Sequence, residues 1–294
     1  MKQAVAKTMS QFLTDLAAYL DTQDFPVIRI SEIHHGSEPQ TLERSMANPC
    51  QNIYSVAKTF TMTAIGLLYD RHLLELDEKV CDILADELPE TGMDERWYMS
   101  TVEMALKHQL GLPAGFLDID ATHASAFGYD YLNYTLTYPL DYTPGENEAY
   151  SDGAYYLLSR IATKRAKMPM ENFLWRELFY PLGYREMAWS RCPMGYAMGA
   201  TGLYITTEDM VKLGQVYLSG GLYHEKRILS EEWVHLATRH GFALDWDKQH
   251  KIYGKGGMCG QLLCVAPSQN RVVAMQSYGG DCDALMSFLK QYKN

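Results

Sequence analysis

The hydrophobic positions change their period along the chain. Val5, Met9, Phe12, Leu13, Leu16 and Leu20 fall at helical spacing and predict an amphipathic helix over residues 5–20. Phe25-Pro26 breaks that pattern. Val27 to Ile33 is then rich in β-branched residues, alternates, and predicts a strand that ends at His34-His35-Gly36. Neighbouring strand residues face opposite ways, so this histidine pair reads as surface or edge residues rather than as metal ligands. Residues 37–52 are polar and irregular. After Ser55, the run Phe60, Ala64, Ile65, Leu67 and Leu68 meets few charges before Asp70-Arg71. A helix that is apolar nearly all round is buried, and this one reads as the central helix of the fold.

Residues 72–200 look mainly helical, with aromatic-rich loops around Tyr129-Asp130-Tyr131 and Tyr138-Pro139. The turn Thr143-Pro144-Gly145 leads into Tyr150-Ser151-Asp152-Gly153, and Ala154, Tyr155, Leu157, Leu158, Ile161 and Ala162 continue as a helix. Thr206-Thr207-Glu208-Asp209 has the hydroxyl caps and first-turn acids of a helix N-terminus. From Phe242 the pattern turns to strands. Lys251-Ile252-Tyr253 enters the cluster Gly254-Lys255-Gly256-Gly257. Leu262 to Ala266 and Arg271 to Met275 then flank Pro267-Ser268-Gln269-Asn270 as a buried hairpin. Ala284 to Tyr292 closes the chain as a helix.

Composition narrows the function classes. With 294 residues and 47% hydrophobic content the chain can bury a core of one large domain or two lobes. A formal net charge of -10 argues against nucleic acid and anionic membranes as partners. No run approaches the ~20 apolar residues that span a bilayer. Met1 to Thr8 carries two lysines without an apolar stretch behind them, so no secretory signal is read and a cytoplasmic location is expected. The six cysteines form no Cys-x-x-Cys and read as structural thiols. Gly254-Lys255-Gly256-Gly257 fits neither phosphate-loop fingerprint, and no Gly-x-Ser-x-Gly elbow is present.

Three places carry candidate chemistry. Ser55 stands at the mouth of the central helix, where free N–H groups and the helix dipole favour negative charge. Lys58 lies one turn on, within reach of Ser55. An ordinary lysine is a poor base at neutral pH. Burial and a nearby cation, for which Lys255 is a candidate, would lower its pKa and free the amine. Tyr150 follows a Pro-Gly turn and can shuttle protons when cations are near. At Lys255 the flanking glycines leave a strand edge bare of side chains, against which a substrate backbone can lie. The N–H of Met258 can pair there with that of Ser55 as an oxyanion hole. A second Ser-x-x-Lys, Ser287 to Lys290, sits on the closing helix and has no downstream partners.

The ordered stretches Ser55-Val56-Ala57-Lys58, Tyr150-Ser151-Asp152 and Lys255-Gly256-Gly257 lie roughly 95 and 105 residues apart. Between them run Leu110-Gly111-Leu112-Pro113, Pro144-Gly145, Tyr180-Pro181-Leu182-Gly183 and Gly202 to Asp209. From about residue 50 to 280 the chain resembles the serine beta-lactamase and penicillin-binding protein superfamily, in its class C and related esterase branch. The resemblance implies an α+β fold: an antiparallel sheet flanked by terminal helices, beside an all-helical lobe. It places residues 1–54 and 200–294 in the sheet lobe and 55–199 in the helical lobe, with the site in the cleft between them. It implies acylation of Ser55 and then hydrolysis, with Lys58 and Tyr150 moving protons, and Asp152, Lys255, Gly257 and Met258 facing the substrate. Neither a metal nor another cofactor is implied.

Three features depart from that family pattern. Asp152 replaces an asparagine, and a carboxylate accepts hydrogen bonds without donating them. It can also pair with Lys58 and keep it charged. Gly256 stands where one family form has a hydroxyl that holds a substrate carboxylate. The stretch between the first strand and Ser55 is short, so a sheet strand there is expected to be missing or irregular. The reading is a serine hydrolase acting on a small ester, amide or beta-lactam-type molecule. The alternative is a non-catalytic binding protein on the same fold.

Overall fold

A computed structural model of the chain describes residues 9–23, 26–247, 249–279 and 282–293. Val5 and Phe25 lie outside the described residues. The fold is α+β, as the family resemblance implies. Its main sheet is antiparallel and six-stranded. The strands are β1 (Val27–His34), β2 (Gln40–Glu43), β3 (Asp245–Asp247), β4 (Ile252–Gly257), β5 (Gln261–Ala266) and β6 (Arg271–Ser277). In space they run β2-β1-β6-β5-β4-β3.

Both faces of the sheet centre are covered, which is why β5 and β6 are apolar without a break rather than alternating. Leu262, Cys264, Val273 and Met275 pack on one face with Phe12, Leu13, Leu285 and Leu289. Those partners come from helices α1 (Gln11–Leu20) and α5 (Asp283–Gln291), the two ends of the chain. Leu263, Val265, Val272 and Ala274 face the other way, into the larger core. Helix α4 (Thr207–Leu218) lies on that face, capped by Thr206, whose hydroxyl accepts the Asp209 N–H at 3.1 Å. Gly214 lets α4 approach closely, since a Cβ there would sit 2.4 Å from Val272 Cγ1. A buried ion pair ties the sheet to α1. Arg271 Nε donates to Glu32 at 2.6 Å, and Glu32 also accepts the hydroxyl of Ser10, the α1 cap.

Helix α2 (Ala57–Tyr69) is the central helix expected from its composition: 12 of its 13 residues are buried. It packs against α3 (Asp152–Ala166). Between these two helices the chain is helical only in short pieces, such as Val102–Leu106 and Tyr131–Thr137, joined by long turns.

Two strand expectations need correction. Gln40–Glu43 does form a strand and pairs with β1 from Arg29↔Glu43 to Glu32↔Gln40. It was hidden because it is a short edge strand with one buried residue, Leu42. Strand β4 is not a bare edge along its length, because β3 pairs with it over Ile252 to Gly254. The pairing with β3 stops at Gly254, and Lys255 to Gly257 lie beyond it. The histidine pair also differs in detail. His35 has left the strand, with φ of 49°, and its ring comes within 4.2 Å of the His34 ring. No disulfide joins cysteines among the described residues. No helix among the described residues is long and apolar enough to cross a membrane.

Candidate active site

Ser55 sits in the 3-10 turn Tyr54–Val56 that opens directly into α2. The chain reaches this turn from a small sheet. Gln51 and Asn52 pair with Ile205 and Tyr204, and Ile53 N–H donates to Leu203 O at 2.9 Å. Tyr54 then takes φ of 46°, its N–H held by Asn52 Oδ1 at 2.9 Å. The half-buried Ser55 is thus fixed at a backbone corner in front of a buried helix.

Lys58 lies one turn further and has no solvent exposure. Its Nζ donates to Ser55 Oγ at 3.1 Å, to Asp152 Oδ1 at 2.6 Å and to Ala200 O at 3.1 Å. Three donated bonds use every proton of an ammonium group, and a neutral amine has only two. Burial by itself lowers the Lys58 pKa. Attraction from Asp152, followed by Tyr150, overrides it, and the net direction is up from the ordinary lysine value. The sequence-based expectation of a lowered lysine pKa is therefore corrected. Burial raises the Asp152 carboxyl above its ordinary value, against the opposing pull of Lys58. With the ammonium at 2.6 Å we take the pair as ionised.

Tyr150, Asp152 and Lys255 converge on the same place. Tyr150 is half-exposed, and its ring centre lies 4.7 Å from Lys58 Nζ and 4.8 Å from Lys255 Nζ. Lys255 is buried on the open part of β4. Gly257 ends that strand against the turn that holds Ser55. A Cβ on Gly257 would lie 2.5 Å from Ile53 O and 3.3 Å from Ser55 N. Close approach is why glycine stands there, since its φ of -128° suits any residue. Met258 follows in a 3-10 turn, with its side chain exposed. Ser287, by contrast, is exposed on α5, and Lys290 pairs with Asp247 at 2.9 Å.

Three groups at the site have no counterpart in the sequence reading. His108 packs its ring against Tyr150 at 4.5 Å. A cavity of about 280 Å³ touches His108, Tyr150, Lys255, Glu148 and His240. Asp118 and Asp120 bring carboxylate oxygens within 4.8 Å of each other and of Asp152, the one such group among the described residues that offers ligands to a metal ion. One oxygen of each is engaged: Asp152 Oδ1 by Lys58, Asp120 Oδ2 by the Thr201 hydroxyl, and Asp118 Oδ1 by the N–H groups of Asp120 and Ala121 at 3.0 Å. Burial, with repulsion from Asp152 and Asp118, pushes Asp120 up against the Thr201 hydrogen bond.

Comparison with known proteins gives a consistent picture. The Beta-lactamase family model matches residues 46–281. An N-acetylmuramyl-L-alanine amidase of Bacillus subtilis is 24% identical over 58% of this chain and 54% of its own length. The chain spans about half the length of the curated relatives it matches. Among solved structures, the octameric penicillin-binding protein homologue from Pyrococcus abyssi superposes with a TM-score of 0.74 at 18% identity, over 95% of this chain and 76% of that one. A D-stereospecific amidohydrolase from Streptomyces sp. gives 0.69 at 16% identity, over 94% and 96%. At these identities the structural likeness shows the fold.

Proposed function

The chain belongs to the beta-lactamase family, and on that premise we propose that it is a serine hydrolase working through an acyl-enzyme on Ser55. The observation that carries this reading is the 3.1 Å contact between Ser55 Oγ and the fully buried Lys58 Nζ. Ser55 Oγ bonds to the substrate carbonyl carbon as its proton passes to the Tyr150 oxygen. Tyr150 takes it as the phenolate, and the negative charge that the proton neutralises lies near two cations, Lys58 and Lys255. Lys58 stays charged throughout, because Asp152 holds it so. The carbonyl oxygen, now negative, is received by the N–H groups of Ser55 and Met258. Collapse of the intermediate expels an alcohol or amine, which takes the proton back from Tyr150. Water then releases the acid and frees Ser55.

The substrate class follows from the charges beside the nucleophile. Asp152, Asp118 and Asp120 disfavour a carboxylate on the acyl side, and Gly256 supplies no hydroxyl to bind one. A small ester or amide suits the site better than a beta-lactam or peptide acid. We place the substrate in a cleft between the sheet-bearing lobe and the helical lobe. The engaged ammonium of Lys58 also favours a second reading, a non-catalytic binding protein, since it removes a base. Intact mass after incubation with a fluorophosphonate decides between the two. The hydrolase reading expects an adduct on the wild type that is absent from Ser55→Ala. A folded wild type that forms no adduct would refute it. Turnover of a p-nitrophenyl ester beside nitrocefin then separates an esterase from a beta-lactamase.

A further inference from the structure

One residue outside that mechanism grips the chain on both sides of Tyr150. His108 follows the short helix Val102–Leu106 and stands at φ of 55°. Its carbonyl oxygen accepts the Ala149 N–H at 2.9 Å, and its Nδ1 accepts the Ser151 N–H at 3.2 Å. The two bonds bracket Tyr150 at the preceding and following residues. Its ring packs on Tyr150 at 4.5 Å between centres and on Tyr155 at 5.0 Å. The Gly115 N–H, from the same loop, donates to Tyr150 O at 2.8 Å. Backbone and ring of Tyr150 are therefore both registered against the His108 loop.

We propose that His108 is the positioning residue for Tyr150, a neutral imidazole with its Nδ1 lone pair on Ser151 N–H and its proton on Nε2. It keeps the phenol beside Lys58 and Lys255. This inference rests on the reading of Tyr150 as the proton acceptor. A protonated imidazole would turn a donor toward the Ser151 N–H and add a third cation to the site. Burial, then the charges of Lys58 and Lys255, push the His108 pKa down to about 3, so the ring stays neutral under working conditions. A misplacement of about 1 Å at a catalytic group can cost on the order of 10²-fold in rate.

The test uses His108→Phe and His108→Asn with p-nitrophenyl acetate as the probe. Phenylalanine keeps a ring and loses the acceptor. Asparagine offers an amide oxygen near the Nδ1 position and tolerates the left-handed backbone. We expect H108F to lower kcat on the order of 10²-fold with KM little changed, and H108N to recover about tenfold of that loss. In a Tyr150→Phe background, H108F should cost almost nothing further, because the two residues act as a unit. An H108F enzyme with wild-type kcat, or one that loses the same factor with and without Tyr150, would overturn the proposal. Imidazole ¹⁵N shifts of the wild type check it without any variant. They should report the Nε2–H tautomer from pH 8 to pH 5, and a His108 that is protonated at pH 5 would overturn it. Failure of the wild type to form the fluorophosphonate adduct would instead sink the hydrolase reading beneath it.

Discussion

Replacing Asp152 by asparagine removes one charge from a pair buried at 0% and 9% side-chain exposure and leaves the hydrogen-bond acceptor in place. At 2.6 Å and an effective dielectric near 20, the lost attraction is about 6 kcal/mol before the relief of desolvating the carboxylate. The net cost of stranding a buried charge is ~3–5 kcal/mol. For a chain of this size that lowers the melting temperature by roughly 5–8 °C at pH 7. The pH dependence is the sharper part. In the wild type the Lys58 pKa is raised, so its contribution is fully present below the ordinary lysine value and is lost only as pH rises through the higher folded value. In Asp152→Asn the largest opposition to burial is gone, only the smaller pull of Tyr150 remains, and the folded pKa falls below the unfolded one. The unfolded chain then binds more protons, and stability rises with pH. Thermal melts at pH 7 and pH 9 should show the gap between the two proteins narrowing at pH 9. An unchanged melting temperature at pH 7, or a gap of equal size at both, would refute the claim that Asp152 holds Lys58 charged.

Further outcomes follow from neighbouring contacts. Gly257→Ala pushes a methyl toward Ile53 O and Ser55 N. Ester turnover should drop on the order of 10²-fold, with a stability loss of about 1–3 kcal/mol in urea titration. His108 titrates near 6.5 when unfolded and near 3 when folded, so the unfolded state takes up a proton first and acid destabilises the fold. Lowering pH from 7 to 5 should remove about 2 kcal/mol through this group, and a folded His108→Asn should lose correspondingly less. Ser287→Ala, on the exposed face of α5, should leave ester kcat and the melting temperature at wild-type values.

The core of the site was legible because ordered motifs separated Ser55 from its twin at Ser287. Strands β5 and β6 were legible for a different reason. Burial on both faces makes their apolar runs continuous, and a turn marks the hairpin between them. The missed features share one property: residue type says little about them. The strand Gln40–Glu43 contributes only Leu42 to the core. His108, Asp118 and Asp120 are common polar residues, and they matter because the chain folds them against Tyr150 and Asp152. The third acceptor of Lys58 is Ala200 O, a backbone atom 142 positions away that no side-chain pattern announces.

The proposed hydrolysis passes through a covalent acyl group on Ser55. Rapid mixing with p-nitrophenyl acetate, acid quenching on the burst timescale and peptide mass mapping tests it most directly. Acylation of Ser55 gives a burst of nitrophenol stoichiometric with the protein and one acetyl group on the Ser55 peptide, both absent from Ser55→Ala. Turnover without a trapped acetyl group, or the same adduct in Ser55→Ala, would contradict it.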